Sequence, residues 1–185
     1  MKEVSLTGRL LVATPALADP NFDRTVVLLL DHDEDGSLGV VVNRPTPVDV
    51  TDVLPPWSDL ATAPGVVFQG GPVALDSALG LAAVPGGGEP LGWRRVYGGI
   101  GLVDLDAPPE VLAAELGSLR IFAGYAGWGP GQLESELTEG AWYVVDSEPG
   151  DAFSTHPEGL WRAVLRRQPG SLALVATYPD DPSMN

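Results

Sequence analysis

Asp31, Asp33, Asp35 and Gly36 reproduce the opening of a calcium-binding loop, in which alternate carboxylates point at one cation and a glycine makes the turn. The twelfth position of such a loop needs a bidentate glutamate. Here that position is Val42, inside an apolar run that reads as a strand. The spacing therefore predicts an acidic hairpin tip and no metal site. His32, alone among those carboxylates, reads as an exposed turn residue, and His156 has no supporting ligand spacing.

No G-x-S-x-G elbow, H-E-x-x-H helix, phosphate-binding P-loop or complete G-x-G-x-x-G follows any strand-like run. Cysteine is absent, which excludes disulfides, thiolate zinc sites and thiol catalysis, and fits a reducing compartment. Two glycine-rich segments remain. Gly70-Gly71-Pro72 follows a strand-like run, and residues 124–131 join another to a short helix. Glycine there either permits positive φ and a tight crossing of chains, or lets an anionic ligand approach backbone N–H groups; the crossing is the expected reading. Gln132 and Glu136 lie one turn apart on the helix that follows, off the face of Leu133 and Leu137, and so face a cleft or solvent. Asn43 and Arg44 end a buried strand. In a chain with only ten basic residues, Arg44 is placed either to hold a structural carboxylate, the preferred reading, or to bind an anion.

The 185 residues suit one domain, and their mass allows a substantial core. With 25 carboxylates against ten basic side chains, the formal charge is −15. Such a surface repels phosphate backbones and anionic membranes, so neither nucleic acid nor membrane is an expected partner. The apolar-leaning stretch 65–84 is broken by Gln69, Pro72 and Asp76 and falls short of a membrane span. Arg9 followed by Leu10-Leu11-Val12-Ala13 and the small residues near Ala18 imitates a secretory leader. Glu3 and Pro15 argue against that, and the run reads as a buried strand.

Strand and helix signals are interspersed without βαβ alternation, which predicts an α+β fold. Strands are expected at residues 9–14, 25–30, 38–42, 66–69, 79–84, 100–105, 120–125, 142–146 and 172–177. The second and third form a hairpin around the turn-rich stretch 31–37, and their continuous apolarity predicts burial on both faces. Helices are expected at 108–119, at 130–139, and after a Thr155/Glu158 capping box, the last with Arg162, Arg166 and Arg167 on a solvated face. Trp128, between two glycines, is expected in the core, with display as a partner anchor the alternative.

Segments 8–15 (GRLLVATP), 39–45 (GVVVNRP), 68–73 (FQGGPV) and 124–128 (GYAGW) follow one another in order. With Asp19, Phe22, Asp31-His32, Gly131-Gln132-Leu133-Glu134, Glu136, Trp142, Trp161 and the closing 181–185 (DPSMN), they make the whole chain resemble the YqgE/AlgH family. The resemblance implies a bacterial cytoplasmic protein whose bifurcated mixed sheet includes a small barrel and is surrounded by helices. It brings no settled activity and no cofactor. Some members carry a transcriptional-regulator label, which this acidic chain without a basic helix does not support through direct DNA contact. The family's recurring polar positions fall on Asn43, Arg44, Gln132 and Glu136. With Gly70, Gly71 and Trp128 these are the candidates for contact with a protein partner or an anionic small molecule. A non-catalytic binding or adaptor protein with an indirect regulatory role is the leading expectation, and a hydrolase acting on an anionic small molecule is the rival.

Overall fold

The computed structural model describes residues 5–17, 19, 20 and 22–177. Ten strands form one mixed sheet: β1 (Leu10–Ala13), β2 (Val26–Asp33), β3 (Gly36–Val41), β4 (Pro45–Asp49), β5 (Val66–Gln69), β6 (Val73–Ala83), β7 (Trp93–Tyr97), β8 (Ile100–Val103), β9 (Ser118–Trp128) and β10 (Trp142–Val145). Its main path runs β10-β1-β2-β3-β9-β6-β8-β7, strongly curled into a half-barrel. The long strand β9 is where the sheet divides. Near its C-terminal end, Ala126–Trp128 pair antiparallel with β3. Further back, Phe122 and Ala123 pair in parallel with β5, which carries β4 as an edge.

The hairpin of β2 and β3 is buried on both faces, as its apolar runs require. Leu28, Leu30, Val40 and Val42 enter one core cluster with Leu10, Val12, Phe68, Phe122 and Trp161, while Val27, Leu29 and Val41 enter another with Leu11, Ala13, Trp128 and Trp142. A third cluster, with Val50, Trp57, Val67, Leu112 and Ile121, lies beneath the β4–β5 branch. Helices are short: α1 (Val50–Val53), α2 (Glu110–Ala113), α3 (Gln132–Thr138), α4 (Leu160–Arg166) and α5 (Leu172–Val175). They cover parts of the sheet and do not surround it. None is long and apolar enough to cross a membrane.

Several local expectations are overturned by tertiary pairing. The stretch 31–37 is mostly strand, and the ladder continues to Asp33↔Gly36 with only Glu34 and Asp35 at the tip. His32 is 7% exposed, donating or accepting at Ser37 Oγ, 2.9 Å from its Nδ1, with Glu134 beyond its other nitrogen. It is not an exposed turn residue. Residues 124–128 are strand and not turn, because β3 offers Gly39 to Ser37 as partners. The helix expected over 108–119 stops at Ala113, since Ser118 and Leu119 join the ladder opposite Ala83 and Ala82. Residues 172–175 are helix α5, packed on α4, so their apolar run meets another helix instead of a sheet edge. β4 and β7 escaped notice for a shared reason. Pro45 and Pro47, like Arg94 and Arg95, suit only edge strands, which lack the apolar run of a central one. The Thr155/Glu158 capping box does not form, and Thr155 Oγ1 meets His156 Nδ1 instead. Arg167 is not on a merely solvated face, for it grips the buried Asp151 with two bonds of 2.7 and 2.5 Å and reaches Glu148 at 2.9 Å.

Candidate functional site

Glu136 stands at the centre of the polar arrangement. Its Oε1 accepts from the indole N–H of Trp128 at 3.0 Å and of Trp142 at 2.9 Å, and its Oε2 accepts from Gln132 Nε2 at 3.0 Å. Gln132 Oε1 in turn accepts from the backbone N–H of Gly129, fixing the entry to α3. The i to i+4 spacing on α3 makes this possible, since it stacks Gln132 and Glu136 along one side while Leu133 points into the core. Trp128 is 6% exposed. Its ring and that of Trp142 meet edge to face at 6.1 Å, and Phe22 packs against both, 6.3 Å from the first and 5.5 Å from the second.

Phe22 belongs to the loop between β1 and β2, and the other two recurring polar residues hold that same loop. Asn43 Oδ1 accepts from the backbone N–H of Val26 at 2.9 Å, and its Nδ2 donates to the carbonyl of Arg24 at 3.0 Å. Arg44 donates to the carbonyls of Pro20 and Asp23 at 3.0 and 3.1 Å. Burial lowers the Arg44 guanidinium from its ordinary value, and the charges of Asp23 and Asp19 oppose that shift. Asn43, Arg44, Trp128, Gln132 and Glu136 are thus brought to bear on a single loop from two sides. Asn43→Ala removes one acceptor and one donor from that clamp and is expected to lower stability by about 2 kcal/mol. A urea midpoint within error of the parent would show that the loop does not depend on it.

Gly70 and Gly71 lie elsewhere, where β5 leaves the sheet across β9. The carbonyl of Gly70 accepts from Val41 N–H and its N–H donates to Ala123, which ties β3 and β9 together. A Cβ at Gly70 would fall on the Gly124 carbonyl, and one at Gly71, whose φ is +154°, on the backbone of Tyr125. Gly124, at φ +74°, completes the crossing. These glycines permit backbones to touch.

Arg120 is the residue that sequence reasoning missed. It is 1% exposed within β9, donating to the carbonyls of Ala152 (3.2 Å), Ser154 (2.9 Å) and Ala63 (2.8 Å), and its guanidinium lies 4.3 Å from the Phe68 ring. Its Nε has no hydrogen-bond partner. Burial pushes its pKa down to about 10, so it remains charged at neutral pH. The one available signal was an arginine inside the apolar run Leu119-Arg120-Ile121-Phe122 of a chain with ten basic residues.

A family profile described as AlgH-like matches residues 10–173. The chain belongs to the AlgH-like family. It is 78% identical over 190 residues to a UPF0301 protein of Streptomyces avermitilis, covering all of this chain and 98% of that one. A UPF0301 protein of Mycobacterium tuberculosis is 47% identical over 181 residues, covering 96% of this chain and 90% of the relative. Among solved structures, a Corynebacterium diphtheriae protein superposes with a TM-score of 0.90 at 31% identity, covering 96% of this chain and 95% of its own. The solution structure of AlgH from Pseudomonas aeruginosa superposes with a TM-score of 0.69 at 29% identity, over 98% of this chain and 100% of that one.

Proposed function

We propose that this AlgH-like chain is a non-catalytic binding protein, acting as an adaptor with an indirect regulatory role. One observation carries the reading: the polar candidates for ligand or partner contact each hydrogen-bond to the protein's own groups, so no free acid–base pair stands among them. Glu136 serves two indoles and a glutamine, Asn43 serves two backbone groups, and Arg44 serves two carbonyls. A general acid or base must instead reach a substrate proton at hydrogen-bond distance. The arrangement supports a loop tied down at Pro20, Asp23 and Arg24, and such anchoring favours recognition because less ordering entropy remains to be lost on binding.

The test is affinity capture of the tagged chain from a native Streptomyces lysate at physiological salt. The expected result is a stoichiometric protein partner displaced by untagged chain. Hydrolysis of an anionic small molecule that is lost in Arg44→Ala, with the fold intact by circular dichroism, would overturn the reading in favour of a hydrolase. Direct binding to duplex DNA is expected to be absent at physiological salt, because a surface of net charge −15 cannot release enough counterions from a run of phosphates. A salt-sensitive submicromolar mobility shift on promoter DNA would contradict that expectation.

A further inference from the structure

A second feature lies on the β4–β5 branch, away from the loop clamp. A groove of about 370 Å³ is floored by Val67 of β5 with Ile121 and Ala123 of β9, and walled on one side by Thr46, Val48, Val53 and Leu54. The other wall is an irregular part of β6. The register there jumps from Val73↔Tyr125 to Ala78↔Ala123, so four residues of β6 stand against one of β9, and Ala74 takes a φ of +52°. A non-glycine residue at positive φ is strained and persists only where its surroundings hold it there. The bulge carries Leu75 out to the groove rim, where it is 52% exposed, facing Val48 at 42% and Val53 at 51% across the opening. Three large aliphatic side chains are therefore gathered around one concavity, which is unlike the scattered exposure of ordinary surface residues.

Among the described residues that line the groove Asp76 is the charged one, and Asp49 and Asp52 stand at the β4–α1 corner beside Val48 and Val53. The outer edge of β6 is also open there. Its pairing with β8 begins only at Gly80, leaving residues 74–79 without a β8 partner. An open strand edge beside an apolar groove suits an extended peptide, whose main chain pairs with the edge while aliphatic side chains enter the groove.

We propose, resting on the binding-protein reading above, that this groove docks an extended partner segment with alternating aliphatic side chains flanked by lysine or arginine. Three carboxylates, with no basic residue among the described lining residues, favour a cationic segment and repel an acidic one. The same charges disfavour a second copy of this chain, since a two-fold contact would bring Asp49, Asp52 and Asp76 towards their own images within a pair carrying −15 on each side. The volume falls at the lower end of small recognition pockets, sized for a few side chains and not for a globular face.

The experiment is fluorescence anisotropy with two end-blocked, fluorescein-labelled peptides that share an alternating leucine and valine centre, one flanked by lysines and the other by glutamates. At low salt the lysine-flanked peptide is expected to bind at least tenfold more tightly, with the difference shrinking as salt rises. Leu75→Asp and, independently, the groove-filling Ala78→Trp are each expected to weaken it at least tenfold, whereas Leu91→Asp, at an exposed leucine outside the groove, leaves it unchanged. Asp76→Lys is expected to narrow the preference for the lysine-flanked peptide, with Asp49 and Asp52 still favouring it. Circular dichroism and melting temperature establish that each variant is folded, and two groove variants guard against one failing to fold. No binding of the lysine-flanked peptide to the folded parent at millimolar concentration, equal binding of both peptides, or indifference to both groove variants overturns the proposal. A partner captured from lysate equally well by the parent and by folded Leu75→Asp would leave the binding-protein reading standing while removing this groove from it.

Discussion

Arg120→Ala is expected to lower stability by about 3–5 kcal/mol, because it opens a cavity against Phe68 and leaves the carbonyls of Ala63, Ala152 and Ser154 without their donor. One effect works in the opposite direction. The guanidinium is a buried charge hydrogen-bonded only to neutral carbonyls, with Nε unsatisfied, so removing it also removes a desolvation penalty. The buried carbonyl of Ala152, at roughly 1–3 kcal/mol, together with the smaller cost at the partly buried bonds to Ser154 and Ala63 and the cavity against Phe68, outweighs that relief. Arg120→Met separates the two terms, since it keeps most of the volume and discards both charge and donors. It is expected to lose about half as much as the alanine variant. A methionine variant as stable as the parent in urea denaturation would mean that desolvation cancels the hydrogen bonds. The pH dependence follows from the folded value of about 10 lying below the ordinary arginine value. Between those values the folded state binds fewer protons than the unfolded one, so this group's contribution to stability rises with pH in that window. Below about pH 10 the penalty is fully present, and acidification does not change it.

Trp128→Ala is expected to cost a further class of stability, again about 3–5 kcal/mol, as large-to-small changes at buried aromatic positions do. The indole is packed against Trp142 and Phe22, and its N–H is satisfied by Glu136. Glu136→Ala leaves the N–H groups of both Trp128 and Trp142 without their acceptor and is expected to lose about 2–3 kcal/mol. Because the two residues share a contact, the double variant should lose measurably less than the sum of the singles. Additive losses in a double-mutant cycle would show that Glu136 and Trp128 act independently. An unchanged midpoint for Trp128→Ala would remove the tryptophan from the core and make the segment ending in Gln132 the first surface to search for a partner.

The same residues show where sequence reading stops. Patterns whose physics is local survived into the structure. Continuous apolar runs marked β2 and β3 as buried on both faces, and the leucine spacing marked α3. The ordered family segments named the family. What the sequence could not convey was which groups meet. The glycine-rich stretch 124–127 looks like a turn by propensity, yet becomes the C-terminal part of an eleven-residue strand because β3 and β6 lie alongside to pair with it. Gln132 and Glu136 look like cleft or solvent residues on a helical wheel, but Trp128 and Trp142 arrive from β9 and β10 to occupy the carboxylate. Arg120 sits in an apolar run with no nearby sequence partner, since its three carbonyls come from residues at least 32 positions away. Periodicity and composition are set by neighbours along the chain and are legible there. Hydrogen-bond partnership, charge compensation and the groove beside β6 are decided by elements distant in sequence, whose proximity exists only after the sheet has curled.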